Sequence, residues 1–273
     1  KSMAKKLSDA QVESYRRDGF LGSISVLNAA EITRFRAELE AFEAETGKPL
    51  DFPERSKSYL LFEWADRIVH HPEVLDAVED VIGPDILVYH TTMNIKEARN
   101  EAHIPWHQDD DYFHLDPPEH VTAWVGLSDA SEIAGCMRMI PGSRAEGLVP
   151  HAEKPEKDQL IRLGKAIHDR FNDSDGVAVS LRAGEMSLHN THTIHSSGPN
   201  RSDDRRIGYA VSFIPAHVRP QTEPRTSILC VRGVDRYGHL VHEERLKTPL
   251  SNAARAAHTE AYRRYTAATG IAT

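Results

Sequence analysis

Only two cysteines occur in 273 residues, Cys136 and Cys230, and no C-x-x-C pair is present. That excludes a disulfide framework and a zinc ribbon, and it points to a reducing compartment, so a cytoplasmic location is expected. No stretch is long and apolar enough to cross a bilayer, and the amino end has no apolar segment leading to a cleavage site. Positive charge is in deficit. With 33 Lys and Arg against 41 Asp and Glu, the formal charge is −8, which gives no basic footprint for nucleic acid or an anionic membrane. Repeats, low-complexity tracts and a recognisable interdomain linker are missing too. What remains is the length of one large domain with a sizeable core, and a small molecule as the expected partner. Composition leaves the oligomeric state open. Lys1 and Ser2, ahead of Met3, read as an addition before the start of the chain.

The first part of the chain is predicted to be helical. Ser8 to Gln11 and Asn28 to Glu31 both have the capping-box form, in which a side-chain oxygen and a returning amide or carboxylate satisfy free backbone N–H groups. The second helix carries Ile32, Phe35, Leu39 and Phe42 at helical spacing and should stop near Gly47 and Pro49. A third begins at Pro72 and ends at Gly83, with Pro84 forbidding continuation.

From Ile86 the pattern changes to short extended runs bounded by turn residues. Val121, Ala123, Val125 and Leu127 alternate with Thr122, Trp124 and Gly126, so one face is apolar and the other presents a hydroxyl and an indole. Further strands are predicted at Ile86–Asn94, Cys136–Ile140, Val177–Leu181, Glu185–Asn190 and Ile207–Ile214, which together suggest a β sandwich or barrel. Lys157–Arg170 reads as a helical insertion and Asn252–Ala268 as an Ala-rich closing helix carrying Tyr262 and Tyr265.

Sixteen histidines make chance clusters easy to find, so a single histidine carries little weight. His107-Gln108-Asp109 carries more. Residues two apart on a strand point the same way, so an imidazole and a carboxylate can reach one ion there. Two imidazoles and one carboxylate bind one face of a ferrous ion and leave its other positions open. The third ligand comes from His189, His192 or His195, which are spaced by three. On a helix His189 and His192 would share a face, and a zinc site would come into view. On a strand His189 and His195 share a face. Gly184 before the segment and Gly198-Pro199 after it favour strand and turn, and His195, directly before a polar turn, is the choice.

These residues carry a resemblance. His107-Gln108-Asp109, then His195-Ser196-Ser197, then Arg206 eleven residues after His195, is similar in order and spacing to the motif of the phytanoyl-CoA dioxygenase family of Fe(II)/2-oxoglutarate oxygenases. The resemblance includes Gly135–Ser143 and Leu181–Glu185 and extends from about Ala10 to Val218. It implies a mainly β fold with flanking α-helices, a double-stranded β-helix (cupin-like jelly roll). In that frame one domain would cover 1–273, with a helical part to about 84, a jelly-roll core over about 85–218, and a carboxyl-terminal extension and helix over 219–273.

The resemblance also implies Fe(II) as cofactor, 2-oxoglutarate as co-substrate and O2 as oxidant, with His107, Asp109 and His195 as metal ligands. The far carboxylate of 2-oxoglutarate needs a fixed cation, and Arg206 is the candidate because a guanidinium grips a carboxylate with two parallel hydrogen bonds and keeps its charge when buried. Ser197 would add a hydroxyl donor. Arg205, beside it, reads as a surface ion pair. Asn94, thirteen residues before His107, stands where related enzymes place a polar side chain against the co-substrate, and His90 shares its strand parity. Thr122 and Trp124 are candidates to line the same cavity. Halogenating relatives have a small residue in place of the carboxylate, so Asp109 implies hydroxylation, with desaturation or cyclisation favoured over halogenation.

Leu50–Lys57, Asp110–His120 and Arg144–Arg170 are the expected substrate loops. An acidic mouth at Asp110 and Asp111 would suit an amine, while Arg138, Arg144 or His217 would suit an anion. Two readings from other classes stand beside the oxygenase. One is a zinc hydrolase using His107, Asp109 and a histidine of the 189–195 cluster; the other is a non-catalytic jelly-roll binding protein. The segment Val231–Leu246 reads as a lid or an interface.

Overall fold

Both capping boxes form in the computed structural model, which describes residues 5–154, 156–160 and 165–270; Lys1 to Met3 lie outside that set. Ser8 caps α1 (Asp9–Asp18), which gives way at Gly19 to strand β1 (Phe20–Ser25), and Asn28 caps α2 (Ala29–Thr46), which ends at Gly47. Helix α3 (Glu63–Val69) has no side-chain cap at Phe62, and that missing signal is why the sequence does not announce it. Helix α4 (Pro72–Ile82) has proline in its first turn and Gly83 at its end, as its sequence predicts.

The β region follows. It opens with β2 (Ile86–Lys96) and β3 (Ile104–His107), then a single turn of helix, α5 (Asp110–Phe113). Next come β4 (Leu115–Asp116), β5 (Val121–Gly126), β6 (Met137–Met139), β7 (Ala152–Glu153), β8 (Lys165–Ala166) and β9 (Val177–Val179). The chain continues through β10 (Glu185–Asn190), β11 (His195–Ser197), β12 (Arg206–Pro215), β13 (Arg219–Pro220), β14 (Ser227–Arg232) and β15 (Val241–His242), and α6 (Asn252–Thr269) closes it. Seven strands form one sheet in the order β1-β10-β5-β12-β2-β14-β15, and four form a second in the order β3-β11-β6-β9. This is the expected jelly roll with helices outside it.

The alternation read in β5 sets the layering. Ala123 and Val125, with Met186, Leu188, Tyr209 and Val211 from neighbouring strands, pack against Phe35, Leu39, Trp64 and Val74 of the amino-terminal helices. Trp64 meets Tyr209 edge-on at 5.4 Å, a geometry worth about 0.5–1.5 kcal/mol beyond the area it buries. The large sheet therefore turns its apolar face outward to the helices and its polar face inward to the small sheet.

The helix expected over Lys157–Arg170 is not formed in the described part of that segment. Leu160 N–H donates to His103 O, Ile167 N–H to Trp106 O, and Lys165–Ala166 is strand β8 paired with β7. These backbone groups pair with neighbouring segments and not with one another in a helical ladder; residues 161–164 of that expectation lie outside the described residues.

Val231–Leu246 is tied to the body. Glu243 accepts from Lys57 Nζ at 2.7 Å, from Tyr59 at 2.6 Å and from Ser227 at 2.7 Å, with Lys57 and Ser227 on Oε1 and Tyr59 on Oε2. Lys57 is fully buried, so its removal strands a buried carboxylate. Lys57→Met is expected to lower unfolding free energy by about 3–5 kcal/mol, and Lys57→Met with Glu243→Leu to recover most of it, as measured by chemical denaturation.

Candidate functional site

Strand register sorts the inward side chains of the large sheet into rows. His189, Thr122, Ser212 and His90 form the first, and Ser187, Trp124, Ala210 and Thr92 the second. Gly208 and Asn94 form the third, Arg206 and Lys96 the fourth. Between them and the small sheet lies a cavity of about 250 Å³ that His107, Asp109, His195, Ser197, Asn94, Thr122, Trp124 and Arg206 all line.

His107 and His195 face one another across the β3–β11 ladder. Each directs Nδ1 at the carbonyl oxygen two residues earlier, Pro105 and Thr193, both at 2.9 Å. Nδ1 therefore carries the proton and donates it, which fixes the tautomer and leaves the Nε2 lone pair bare. Asp109 Oδ1 lies 3.7 Å from His107 Nε2 and 3.6 Å from His195 Nε2. The three residues offer ligand atoms within 4.8 Å of one another. Among the described residues this is the one such group of His, Cys, Asp or Glu.

The route to that geometry differs from the expected one. Strand β3 ends at His107, and Asp109 has helical backbone angles, φ −64° and ψ −32°, where the chain turns into α5. Strand parity does not align the pair; the turn does. Gln108 between them points away and is pinned by Gly147 O, His192 O and Val149 N–H.

Electrostatics supply the charge states that a metal requires. Burial raises the Asp109 pKa, but the surrounding imidazoles, His195 first and then His107 and His189, outweigh it and hold the carboxyl well below its ordinary range. Burial, then the neighbouring His107 and His189, push His195 well below the ordinary imidazole value, so it is neutral. Of the two rejected histidines, His192 belongs elsewhere, its Nε2 2.9 Å from Asp110 Oδ2. His189 lines the cavity with Nε2 3.2 Å from Asp109 Oδ2 and is not in the ligand group.

In the fourth row Arg206 is 1% exposed, and no described carboxylate pairs with it. One Nη donates to Gly135 O, the guanidinium lies 5.2 Å over the Trp124 ring, and Nε is buried without a partner. Burial pulls its pKa down to about 10, so the charge persists. An unpaired buried cation beside an orphaned donor fits an incoming carboxylate. Arg205 pairs instead with Glu43 and Glu97, while Asp203 and Asp204 are taken by Arg99 and Arg36.

Sequence reasoning missed Lys96, which is also 1% exposed. Its Nζ donates to Ser197 Oγ at 2.7 Å, to Ser197 O at 3.1 Å and to Gly198 O at 2.5 Å. Burial and then the Arg206 charge pull its pKa down to about 6, against three acceptors that favour the ammonium form. By accepting from Lys96, the Ser197 hydroxyl keeps its own proton free to donate elsewhere. The signal was the period of two through His90, Thr92, Asn94 and Lys96.

Trp124 serves the cavity wall and a small core with Cys136, Met137 and Val179. A Cβ on Gly208 would stand 1.7 Å from Trp124 Cζ2, so only glycine leaves the indole in place. Gly208→Ala is expected to raise the KM for 2-oxoglutarate, by displacing the ring under Arg206, without changing Fe(II) affinity; co-substrate and metal titrations check it.

Phe52, Arg55 and Ser56, then Tyr112 and Phe113, and then Leu160 bring one to three residues from each expected substrate loop to the cavity. Tyr262 and Tyr265 of α6 join them, a contribution readable only as a three-residue spacing on one helix face. The expected acidic mouth is absent from the lining: Asp110 is taken by His192, and Asp111 lies 3.7 Å from Lys165 Nζ. Arg138 is bound to Glu132 and His217 to Glu119.

Residues 15–208 match the family described as phytanoyl-CoA dioxygenase (PhyH). The chain belongs to that family. L-proline trans-4-hydroxylase of Streptomyces griseoviridis is 26% identical over 249 residues, spanning 80% of this chain and 92% of that protein. The peroxisomal phytanoyl-CoA dioxygenase of Homo sapiens is 26% identical over 229 residues, spanning 76% of this chain and 68% of its own. Among solved structures, the apo form of the non-heme monooxygenase ThoJ superposes with a TM-score of 0.83 at 33% identity, covering 94% of this chain and 96% of that one. This member of the phytanoyl-CoA dioxygenase family is thus an Fe(II)/2-oxoglutarate-dependent dioxygenase, an oxidoreductase, and the zinc-hydrolase and binding-protein readings are set aside. Its donor set and its buried guanidinium fit the iron and the dicarboxylate that the family uses. No described helix is long and apolar enough to cross a membrane.

Proposed function

We propose that the enzyme hydroxylates an unactivated C–H bond of a small molecule, converting 2-oxoglutarate and O2 to succinate and CO2. His107, Asp109 and His195 hold Fe(II). Arg206, with Ser197 beside it, grips the far carboxylate of 2-oxoglutarate, and Trp124 and Asn94 shape the space between. Iron, when bound, supplies the oxidising chemistry; the protein positions the reactants and excludes water. The observation that carries this reading is the placement, in one cavity, of a two-histidine, one-carboxylate group in contact with the first inward row and an unpaired guanidinium in the fourth.

Asp109 supports hydroxylation over halogenation, because a carboxylate takes the position a halide would need. The front wall narrows the substrate class. Phe52, Phe113, Tyr262 and Tyr265 present ring surface, with Arg55 as the one guanidinium besides Arg206 in the lining. A substrate with an apolar body and one anionic or hydrogen-bonding group fits that wall. Incubation with Fe(II), 2-oxoglutarate, labelled O2 and candidate substrates tests this. Hydroxylation gives one succinate per product, with one labelled oxygen retained in the product. A product that loses two hydrogens and gains no oxygen overturns hydroxylation in favour of desaturation or cyclisation.

A further inference from the structure

The two carboxylate oxygens of Asp109 have different surroundings. Oδ1 faces the Nε2 atoms of His107 and His195 at 3.7 and 3.6 Å. Oδ2 accepts from Thr122 Oγ1 at 2.8 Å and lies 3.2 Å from His189 Nε2. Thr122 has one proton, and it goes to Asp109, so the contact of its oxygen with His120 Nε2 at 3.2 Å needs the imidazole to donate.

The tautomers of His120 and His189 follow from burial. His120 is 0% and His189 1% exposed, and in both Nδ1 is buried without a hydrogen-bond partner. A neutral imidazole has a single N–H, and placing it on Nδ1 would orphan a buried donor and turn two lone pairs on one another at Nε2. The proton therefore sits on Nε2 in both rings. Burial pulls the His120 pKa down to about 4, which keeps that ring neutral. Hydrogen bonds then run in one direction on each side, from His120 through Thr122 to Asp109 and from His189 to Asp109. Each donor in such a chain strengthens the next.

We propose that His189, Thr122 and His120 are positioning residues that hold Asp109 to ligation through Oδ1 alone. The inference rests on the iron reading above and concerns how the site keeps its open positions. With Oδ2 held by two donors, the carboxylate cannot rotate to present both oxygens to an ion. A two-oxygen carboxylate would occupy one of the positions that a chelating keto acid and O2 need on a six-coordinate ion. His189, rejected as the third ligand, thereby gains a function on the same face of its strand.

The test titrates Co(II) into the metal-free full-length protein without O2, reading affinity by competition with a chelating dye and coordination by the visible d–d bands. Thr122→Val and His189→Leu are each expected to weaken Co(II) by about 10-fold and the double variant by about 100-fold. In the double variant the d–d bands shift as the carboxylate changes its mode of binding. His189→Gln, which keeps an N–H donor, is expected to stay near wild-type affinity and spectrum. Co(II) binding and spectra unchanged in Thr122→Val and His189→Leu, with denaturation curves matching wild type, overturn the inference. If the double variant does not fold, Thr122→Val against Thr122→Ser and His189→Leu against His189→Gln decide on the same readouts. The two readings fail separately: Co(II) binding that ignores His195→Ala defeats the metal site itself, whereas binding that needs His195 but ignores Thr122 and His189 defeats only their positioning role.

Discussion

Arg206→Ala is expected to leave Fe(II) binding in place and weaken 2-oxoglutarate by at least about 100-fold, because removing one partner of a buried charge pair costs about 3–5 kcal/mol. The guanidinium is 1% exposed, paired with no described carboxylate, and spread beneath the cavity against Trp124. Arg206→Lys separates charge from shape. A lysine keeps the positive charge but loses the two-pronged grip, and it would stand beside Lys96, whose Nζ already shares that corner. Its affinity should fall between alanine and wild type. Calorimetric titration of the Fe(II)-loaded protein with 2-oxoglutarate checks both variants.

The second large effect is on the metal. His195→Ala or His107→Ala removes one of the three proposed ligands and is expected to weaken Fe(II) by about 100-fold or more, since ligand sets of this kind contribute several kcal/mol per donor. Asp109→Ala differs in character. It removes the one negative charge of the set and frees the Thr122 hydroxyl and His189 Nε2, which both point at Oδ2. Fe(II) affinity is expected to fall, and 2-oxoglutarate turnover to be lost even at saturating Fe(II), because the proposed ligand group then has two donors. Equilibrium dialysis with Fe(II) under nitrogen, then single-turnover succinate release, separates the binding defect from the chemical one.

Much of this was legible in the chain. Capping boxes at Ser8 and Asn28, the proline and glycine that bracket α4, and the alternation in β5 are local signals, and local physics honours them. The motif residues share one cavity because their spacing reflects strand lengths in a jelly roll. What escaped depends on contacts between distant segments. Nothing near His189 in sequence shows that it meets Asp109, since the two are brought together by β10 pairing with β5 and by the turn after β3. Lys96 reads as an ordinary strand-end lysine until its register opposite Arg206 is known. The helix expected at Lys157–Arg170 failed for the converse reason: local composition suggested one structure, and hydrogen bonds to His103 and Trp106 selected another. Asp110 and Asp111 looked like a pocket mouth beside the motif, yet the single turn of α5 carries them to His192 and Lys165.

The most direct measurement is an anaerobic titration of the metal-free protein with Fe(II) and then 2-oxoglutarate, followed in the visible for the charge-transfer band of an iron-chelated keto acid. A band is expected that saturates at one equivalent of each and disappears in both His195→Ala and Arg206→Ala. Fe(II) binding with no band, or a band that persists in Arg206→Ala at wild-type 2-oxoglutarate affinity, would contradict it.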